Sequence, residues 1–115
     1  MPRVLAYLRR NSANRITLED AAAQAHLSPS YFSRLFRQQT GRTFSDYVSR
    51  LRVEHAKLLL CAPEADMAQI ATQAGFYDQS HFTRTFKVVT GVTPGAFRRR
   101  RLRGFDELAA PEKGK

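Results

Sequence analysis

The stretch "SPSYFSRLFRQQTG" at residues 28–41 decides the fold, because the chain repeats it as "DQSHFTRTFKVVTG" at residues 78–91. The matching pairs lie 50 positions apart and are Phe32 and Phe82, Arg34 and Arg84, and Phe36 and Phe86. Both stretches space their apolar residues as an amphipathic helix does. Both end in glycine, which suits a left-handed helix C-cap. One helical unit is therefore duplicated in this chain.

The repeat extends on both sides of these helices. Upstream, "AAAQA" at residues 21–25 matches "IATQA" at residues 70–74 at a spacing of 49, so the second copy has one extra residue in the turn that follows. Downstream, Thr43 matches Thr93. Each copy therefore predicts a helix, a short turn, a second helix and a capped third helix. This is the helix-turn-helix plan, whose second helix enters the DNA major groove. A duplicated helical hairpin that serves only as a scaffold is the alternative.

Capping residues mark the predicted helix starts. A hydroxyl or carboxylate oxygen precedes each periodic segment, and a proline follows it in two cases. These starts are Thr17, Ser28-Pro29, Thr43, Asp66 and Thr93-Pro94. Almost no strand signal is present, so we predict an all-α protein of about seven helices, the last a short one at "PGAFRRR".

Four segments are expected along the chain. Two helix-turn-helix subdomains flank one long linker helix, and a flexible tail rich in Gly, Pro and charge follows them. Their expected ranges are 1–42 for the first subdomain, 43–62 for the linker helix, 63–103 for the second subdomain and 104–115 for the tail.

The net charge of +9 over 115 residues favours polyanionic partners, with nucleic acid first and an anionic membrane surface second. No apolar run is long enough to span a bilayer, and no signal peptide opens the chain. Cys61 is the single cysteine, so no internal disulfide can form. We expect a soluble, cytoplasmic protein without membrane association.

Catalytic and metal sites are not indicated. No nucleophile with a base and an orienting group can be recognised along the chain. One cysteine and the absence of a close histidine pair make zinc ligation improbable. We therefore predict that the protein is not an enzyme and requires neither a metal nor a cofactor.

Residues 18–41 and "IATQAGFYDQSHFTRTFKVVTGVTPGAFR" at residues 70–98 together resemble the DNA-binding domain of AraC/XylS transcription regulators. The second copy carries Ile-Ala, Gly-Phe, Ser-x-Phe-x-Arg-x-Phe-Lys, Thr-Gly and Thr-Pro in the order of that family. The helix "FSDYVSRLRVEHAKLLL" matches its Arg-x-x-x-Ala-x-x-Leu-Leu pattern at Arg52, Ala56, Leu59 and Leu60. The resemblance implies two helix-turn-helix subdomains joined by this linker helix.

The resemblance also implies which side chains read DNA bases. The outward positions near the start of each second helix are Ser30, Ser33 and Arg34 in the first copy, and Gln79, Ser80, Thr83 and Arg84 in the second. Arginine can bond guanine O6 and N7 together, and glutamine can do the same with adenine N6 and N7. For the hydroxyl residues, solvent exposure or phosphate contact is as good an interpretation. Each arginine could instead pair with an acidic group or simply solvate its face of the helix.

Phosphate contacts are expected from a second set of basic residues. They are Arg37 and Lys87, one turn further along the second helices, and Arg98, Arg99 and Arg100 in the run "RRRRLR". The basic run could equally be a solvated surface.

Two recognition helices in one chain suggest an asymmetric DNA site. A linker helix of about 16 residues is about 24 Å long, which would let one monomer reach two major-groove segments about 34 Å apart. The resemblance implies promoter DNA and RNA polymerase as partners, and activation more often than repression. A sequence-indifferent architectural protein and a regulatory module of a DNA-repair enzyme are the rival interpretations.

The family resemblance also bears on the extent of the chain. Many of these regulators carry an effector-binding or dimerisation domain, and no such segment fits here. We therefore expect either a stand-alone regulator or a domain of a longer regulator, including a longer dimeric one. The first predicted helix begins almost at Met1, which favours the latter.

Overall fold

The computed structural model describes the backbone of residues 1–109 and the side chains of residues 1–101. Throughout the described backbone the regular structure is helical, which confirms the predicted all-α fold. The seven helices of the described backbone are α1 (Pro2–Asn11), α2 (Leu18–Gln24), α3 (Pro29–Thr40), α4 (Phe44–Leu59), α5 (Met67–Ala74), α6 (Gln79–Thr90) and α7 (Pro94–Ala109).

The predicted capping residues hold the helix starts. The Thr17 hydroxyl accepts a hydrogen bond from the Asp20 N–H at 3.0 Å, and the Asp20 carboxylate accepts one from the Thr17 N–H at 3.2 Å. This reciprocal capping box satisfies two amides that the helix itself cannot pair. The Asp66 carboxylate likewise accepts from the Gln69 N–H at the start of α5.

The last helix is longer than its sequence predicted. A short helix at "PGAFRRR" was expected, whereas α7 continues through the basic run to Ala109. Its first turn is fixed by the Thr93 hydroxyl, which accepts from the Ala96 N–H at 3.2 Å. The segment 104–115, expected to be a flexible tail, therefore begins inside α7, and residues 110–115 lie outside the described part of the chain.

The chain forms two compact units, Met1–Arg52 and Val53–Lys115, and α4 contributes residues to both. The four-segment division expected from the sequence stays a prediction. In the first unit, Phe32 and Phe36 of α3 are fully buried in a core with residues of α1, α2 and α4. In the second, Phe82 and Phe86 of α6 are fully buried with residues of α4 and α5.

The two copies repeat their hydrogen bonds as well as their sequence. The Thr40 hydroxyl donates to the Phe36 carbonyl at 2.8 Å, and the Thr90 hydroxyl donates to the Phe86 carbonyl at the same distance. The glycine after each threonine has a φ of 79° or 88°, as left-handed C-caps require. Each second helix thus begins and ends by the same local rules, which gives its exposed side chains the same register.

Two arginines connect the third helix of each copy to the loop that precedes the first helix of that copy. Arg52 of α4 donates from Nε to the Ser12 carbonyl at 2.8 Å and from Nη2 to the Asn14 carbonyl at 3.1 Å. Burial, with a smaller contribution from the positive charge of Arg15, lowers the pKa of Arg52 from its usual value. Arg98 of α7 donates from Nη2 to the Ala65 carbonyl at 2.8 Å.

Candidate nucleic-acid interface

The helix α3 separates a buried face from an exposed one. Ser28 caps its first turn and Pro29 occupies its first position, where no amide hydrogen is needed. The buried phenylalanines turn the opposite face toward solvent. That exposed face carries every candidate contact residue of the first copy, namely Ser30, Ser33, Arg34 and Arg37.

The helix α6 presents an equivalent face in the second copy. The Asp78 carboxylate accepts from the His81 N–H at 2.8 Å and so fixes the first turn. The four base-reading candidates of this copy line one open depression of about 480 Å³, and they are Gln79, Ser80, Thr83 and Arg84. The structure therefore brings these four residues together on one surface. Their capacity to read bases stays a prediction.

Arg34 and Arg84 have no acidic partner in the described part of the chain. The ion pairs found there are those of Asp46 with Arg42 and Arg50, and of Lys57 with Glu54. Arg34 and Arg84 take part in none of these three ion pairs. Pairing with a carboxylate, one of the two structural alternatives for these arginines, thus finds no support among residues 1–101.

The candidate phosphate contacts fall into two groups. Arg37 and Lys87 are exposed one turn beyond the base-reading candidates, and Arg99 and Arg100 are exposed on α7. Arg98 differs, because it is half-buried and its guanidinium already bonds the Ala65 carbonyl. Its Nε is buried and has no hydrogen-bond partner among the described residues. This geometry gives Arg98 a structural bond that the sequence did not indicate.

The turns before α3 and α6 differ by one residue, and the structure shows which one. His26 and Gly75, 49 positions apart, both have positive φ angles, of 57° and 99°. The helix caps that follow, Ser28 and Asp78, are 50 positions apart. The extra residue is therefore Tyr77, which is 83% exposed.

Tyr77 is held in place through its backbone. Its N–H donates to Nδ1 of His81 at 3.3 Å. The His81 ring also packs edge-on against Phe76, with the ring centroids 5.5 Å apart.

Two aromatic residues, one beside each of the helices α3 and α6, were missed by the sequence analysis. Tyr31 lies beneath Arg34, whose guanidinium carbon is 5.9 Å from the ring centroid. The signal for this pair was present, because residues three apart are neighbours on a helix surface. Tyr77 was included in the inserted turn, but its exposure depends on the path of that turn. Sequence spacing alone does not give that path.

A metal centre and a membrane span both have no counterpart among the described residues. No group of three or more His, Cys, Asp or Glu side chains there is arranged to hold a metal ion. None of the described helices combines the length and the apolar character needed to cross a membrane.

Comparison with known proteins identifies relatives over most of the chain. A family model described as a helix-turn-helix domain matches residues 21–100. The regulatory protein PocR of Salmonella typhimurium is 38% identical over 98 residues, which cover 85% of this chain and 32% of PocR. The chain spans about a fifth to two fifths of the length of the first curated relatives that it matches.

Solved structures show the same fold. The C-terminal domain of AraT, a response regulator from Geobacillus stearothermophilus, superposes with a TM-score of 0.81 at 33% identity, over 87% of this chain and 84% of that one. The DNA-binding domain of the global transcriptional factor AdpA, solved in complex with a target DNA, superposes with a TM-score of 0.82 at 27% identity. That match covers 89% of this chain and 93% of the AdpA chain.

Proposed function

The chain belongs to the AraC-type helix-turn-helix family of DNA-binding transcription regulators, which are not enzymes, and on that premise we propose that it binds promoter DNA sequence-specifically through both α3 and α6. The observation that carries this proposal is the repeated exposed face of the two helices. At equivalent positions each helix presents an arginine without an acidic partner among the described residues, flanked by small hydroxyl side chains. A duplicated scaffold would have no need of this match.

Base reading is assigned to the long polar side chains of this face. Arg34 and Arg84 each bond guanine O6 and N7, and Gln79 bonds adenine N6 and N7, since these pairings use two hydrogen bonds at once. The smaller residues make single contacts or touch a thymine methyl group. They are Ser30, Ser33, Thr83 and Ser80.

Phosphate contacts fix the register of the protein on the duplex without reading sequence. We assign them to Arg37 and Lys87 on the recognition helices and to Arg99 and Arg100 on α7, all of which are exposed. Arg98 is left out of this set, because the Ala65 carbonyl already engages its guanidinium.

The two recognition helices occupy successive major-groove segments of one duplex. One chain then does what simpler helix-turn-helix proteins achieve by dimerising. The exposed residues differ between the copies, with Ser30 and Ser33 in one and Gln79, Ser80 and Thr83 in the other. The two half-sites are therefore unlike in sequence, and DNA bending helps both helices to engage. The chain binds as a monomer unless it is part of a longer dimeric regulator.

Regulation follows from promoter binding in the cytoplasm. We propose activation by contact with RNA polymerase, in line with the family resemblance. The relatives that match the chain are named as regulators, among them PocR and the arabinose operon regulatory protein of Salmonella typhimurium.

Selection from a random duplex library tests this proposal, with the recovered duplexes rebound at low and at physiological salt. Two unlike motifs about one helical turn apart are expected. Recovery of no motif, with affinity that collapses as salt rises, would instead support an architectural protein that binds by charge alone.

The change Arg84→Ala then tests the assignment of α6. It should weaken binding to the selected duplex by about 1–3 kcal/mol and relax the preference at one base pair. Unchanged preference at every position would show that Arg84 does not read a base. Lys87→Ala is the matched control, because loss of a phosphate contact weakens all duplexes alike.

A further inference from the structure

The two recognition helices hold their arginines differently. In the first copy, the guanidinium carbon of Arg34 lies 5.9 Å from the centroid of the Tyr31 ring, which is 48% exposed. The two residues are three positions apart on α3 and so share one face of the helix. This distance and the exposed ring fit a cation–π contact at the protein surface.

The second copy has no such arrangement among its described residues. His81 occupies the position equivalent to Tyr31, but its imidazole is directed to the preceding turn. There it accepts the Tyr77 N–H at 3.3 Å and packs against Phe76. The described cation–π contacts are those of Arg34 with Tyr31 and of Arg101 with Phe97, so Arg84 has no aromatic support in this part of the chain.

We infer that Tyr31 is a positioning residue that determines how sharply Arg34 discriminates bases, whereas Arg84 acts without such a support. The inference rests on the proposed function, in which Arg34 reads a base. A free arginine side chain samples many rotamers and loses that freedom when it binds. Stacking on a ring restricts the guanidinium before DNA arrives, so that less entropy is lost for each hydrogen bond formed. The resulting gain in discrimination is confined to the base pair that Arg34 contacts.

The experiment measures binding of the selected duplex and of its complete set of single-base variants. The protein is compared with its variants Tyr31→Leu, Tyr31→Phe and Arg34→Ala. Leucine keeps an apolar side chain of similar reach but removes the aromatic face, whereas phenylalanine keeps the face and removes the hydroxyl. Tyr77→Ala is the matched control, since it removes an exposed tyrosine of the other copy. Thermal melting of each variant verifies that the fold is intact.

Arg34→Ala should abolish the preference at one base pair of the first half-site. At that same base pair, Tyr31→Leu should reduce discrimination about two- to five-fold, the range that an exposed cation–π contact supports. Tyr31→Phe and Tyr77→Ala should leave it unchanged there. In the free protein, NMR should show ring-current shifts of the Arg34 δ protons that persist in Tyr31→Phe and disappear in Tyr31→Leu.

Each contrary result overturns a different statement. If Arg34→Ala relaxes one base pair and Tyr31→Leu leaves it unchanged, the positioning role is wrong and the proposed function stands. If Tyr31→Leu weakens every duplex equally, or Tyr31→Phe behaves like Tyr31→Leu, Tyr31 acts through its hydroxyl or through general contact, and the inference again fails. If Arg34→Ala relaxes no base pair, the inference fails together with the base-reading role of Arg34.

Discussion

At the scale of the residue, the two turns solve the same backbone problem with different amino acids. The chain must adopt a positive φ after α2 and after α5, and it does so at His26 and at Gly75. Glycine adopts this conformation without steric cost, whereas a side chain with a Cβ atom is strained there. The amide that follows closes each turn in the same way, from Leu27 to Ala22 at 3.0 Å and from Phe76 to Ala71 at 2.9 Å.

Replacing His26 by glycine should raise the free energy of unfolding by up to about 1 kcal/mol. The relief of left-handed strain, about 1–2 kcal/mol, exceeds the additional chain entropy that glycine loses on folding, about 0.5–1 kcal/mol. Urea denaturation followed by circular dichroism measures the difference. Gly75→Ala is the reciprocal control and should lower stability by about 1 kcal/mol. A less stable His26→Gly protein would show that the imidazole makes a compensating contact.

At the scale of the element, arginines of the third helices connect each unit internally. Arg52 and Arg98 donate to backbone carbonyls 33 to 40 positions away in sequence. A carbonyl at the edge of a core otherwise lacks a partner, and a charged donor satisfies it more strongly than a neutral one. These bonds hold α4 and α7 against the loops that lead into α2 and α5.

The change Arg98→Ala should lower the free energy of unfolding by about 1–3 kcal/mol, because it removes a charged donor from the Ala65 carbonyl. Arg99→Ala, one position further along α7 and exposed, is the control and should alter stability by less than about 0.5 kcal/mol. Thermal unfolding of both variants makes the comparison. Equal stabilities would mean that the Arg98 bond contributes nothing to the fold.

The start of α4 provides a pH-dependent contribution to stability. The Asp46 carboxylate lies 3.1 Å from both Arg42 Nη1 and Arg50 Nε. Partial burial raises its pKa, but these hydrogen bonds and charges outweigh burial, so the pKa falls below the usual 3.8. Because the pKa of Asp46 is lower in the folded than in the unfolded protein, the ionised carboxylate stabilises the fold at pH values above the unfolded pKa. This stabilisation is lost as the pH falls through the folded pKa.

Asp46→Asn should therefore be slightly less stable than the parent protein at neutral pH, by less than about 1 kcal/mol because the pair is exposed. The difference in stability between the two proteins should disappear as the pH falls below 3.8. Thermal melting across this range measures it. A difference that persists in acid would show that the effect does not arise from the charge of the Asp46 carboxylate.

At the scale of the whole molecule, the positive charge is unevenly distributed along the chain. Residues 1–52 carry nine basic and three acidic residues, whereas residues 53–97 carry three basic and four acidic ones. The five arginines of "RRRRLR" at residues 98–103 supply the excess in the second unit. Electrostatic attraction of DNA to that unit thus depends on α7.

Changing both Arg99 and Arg100 to glutamine should weaken binding to every duplex and leave base preference intact. Each lost phosphate contact should flatten the plot of log affinity against log salt by about 0.9. Titrations from low to physiological salt measure the slope. The control is a second double variant in which Arg9 and Arg10, exposed on α1, are changed to glutamine, because it removes the same charge at another place. The same reduction in slope for both double variants would show that net charge, and not contact by α7, sets the salt dependence.

The sequence by itself determined the features that depend on local chemistry. Helix starts and ends follow from caps such as Thr17 and Gly91, and buried faces follow from phenylalanines spaced at one helical turn. Both kinds of signal act within four residues and can therefore be recognised in the sequence. The duplication can be recognised in the same way, and it gives the equivalent positions of Arg34 and Arg84.

Only the tertiary structure decided how equivalent positions came to differ. It placed Arg98 on a carbonyl 33 positions away, whereas its neighbours in the same basic run remain exposed. It turned His81 toward the Tyr77 amide, whereas Tyr31 at the equivalent position lies beneath an arginine. Such choices depend on which backbone atoms lie within hydrogen-bond distance after folding, and residues distant in sequence determine those distances.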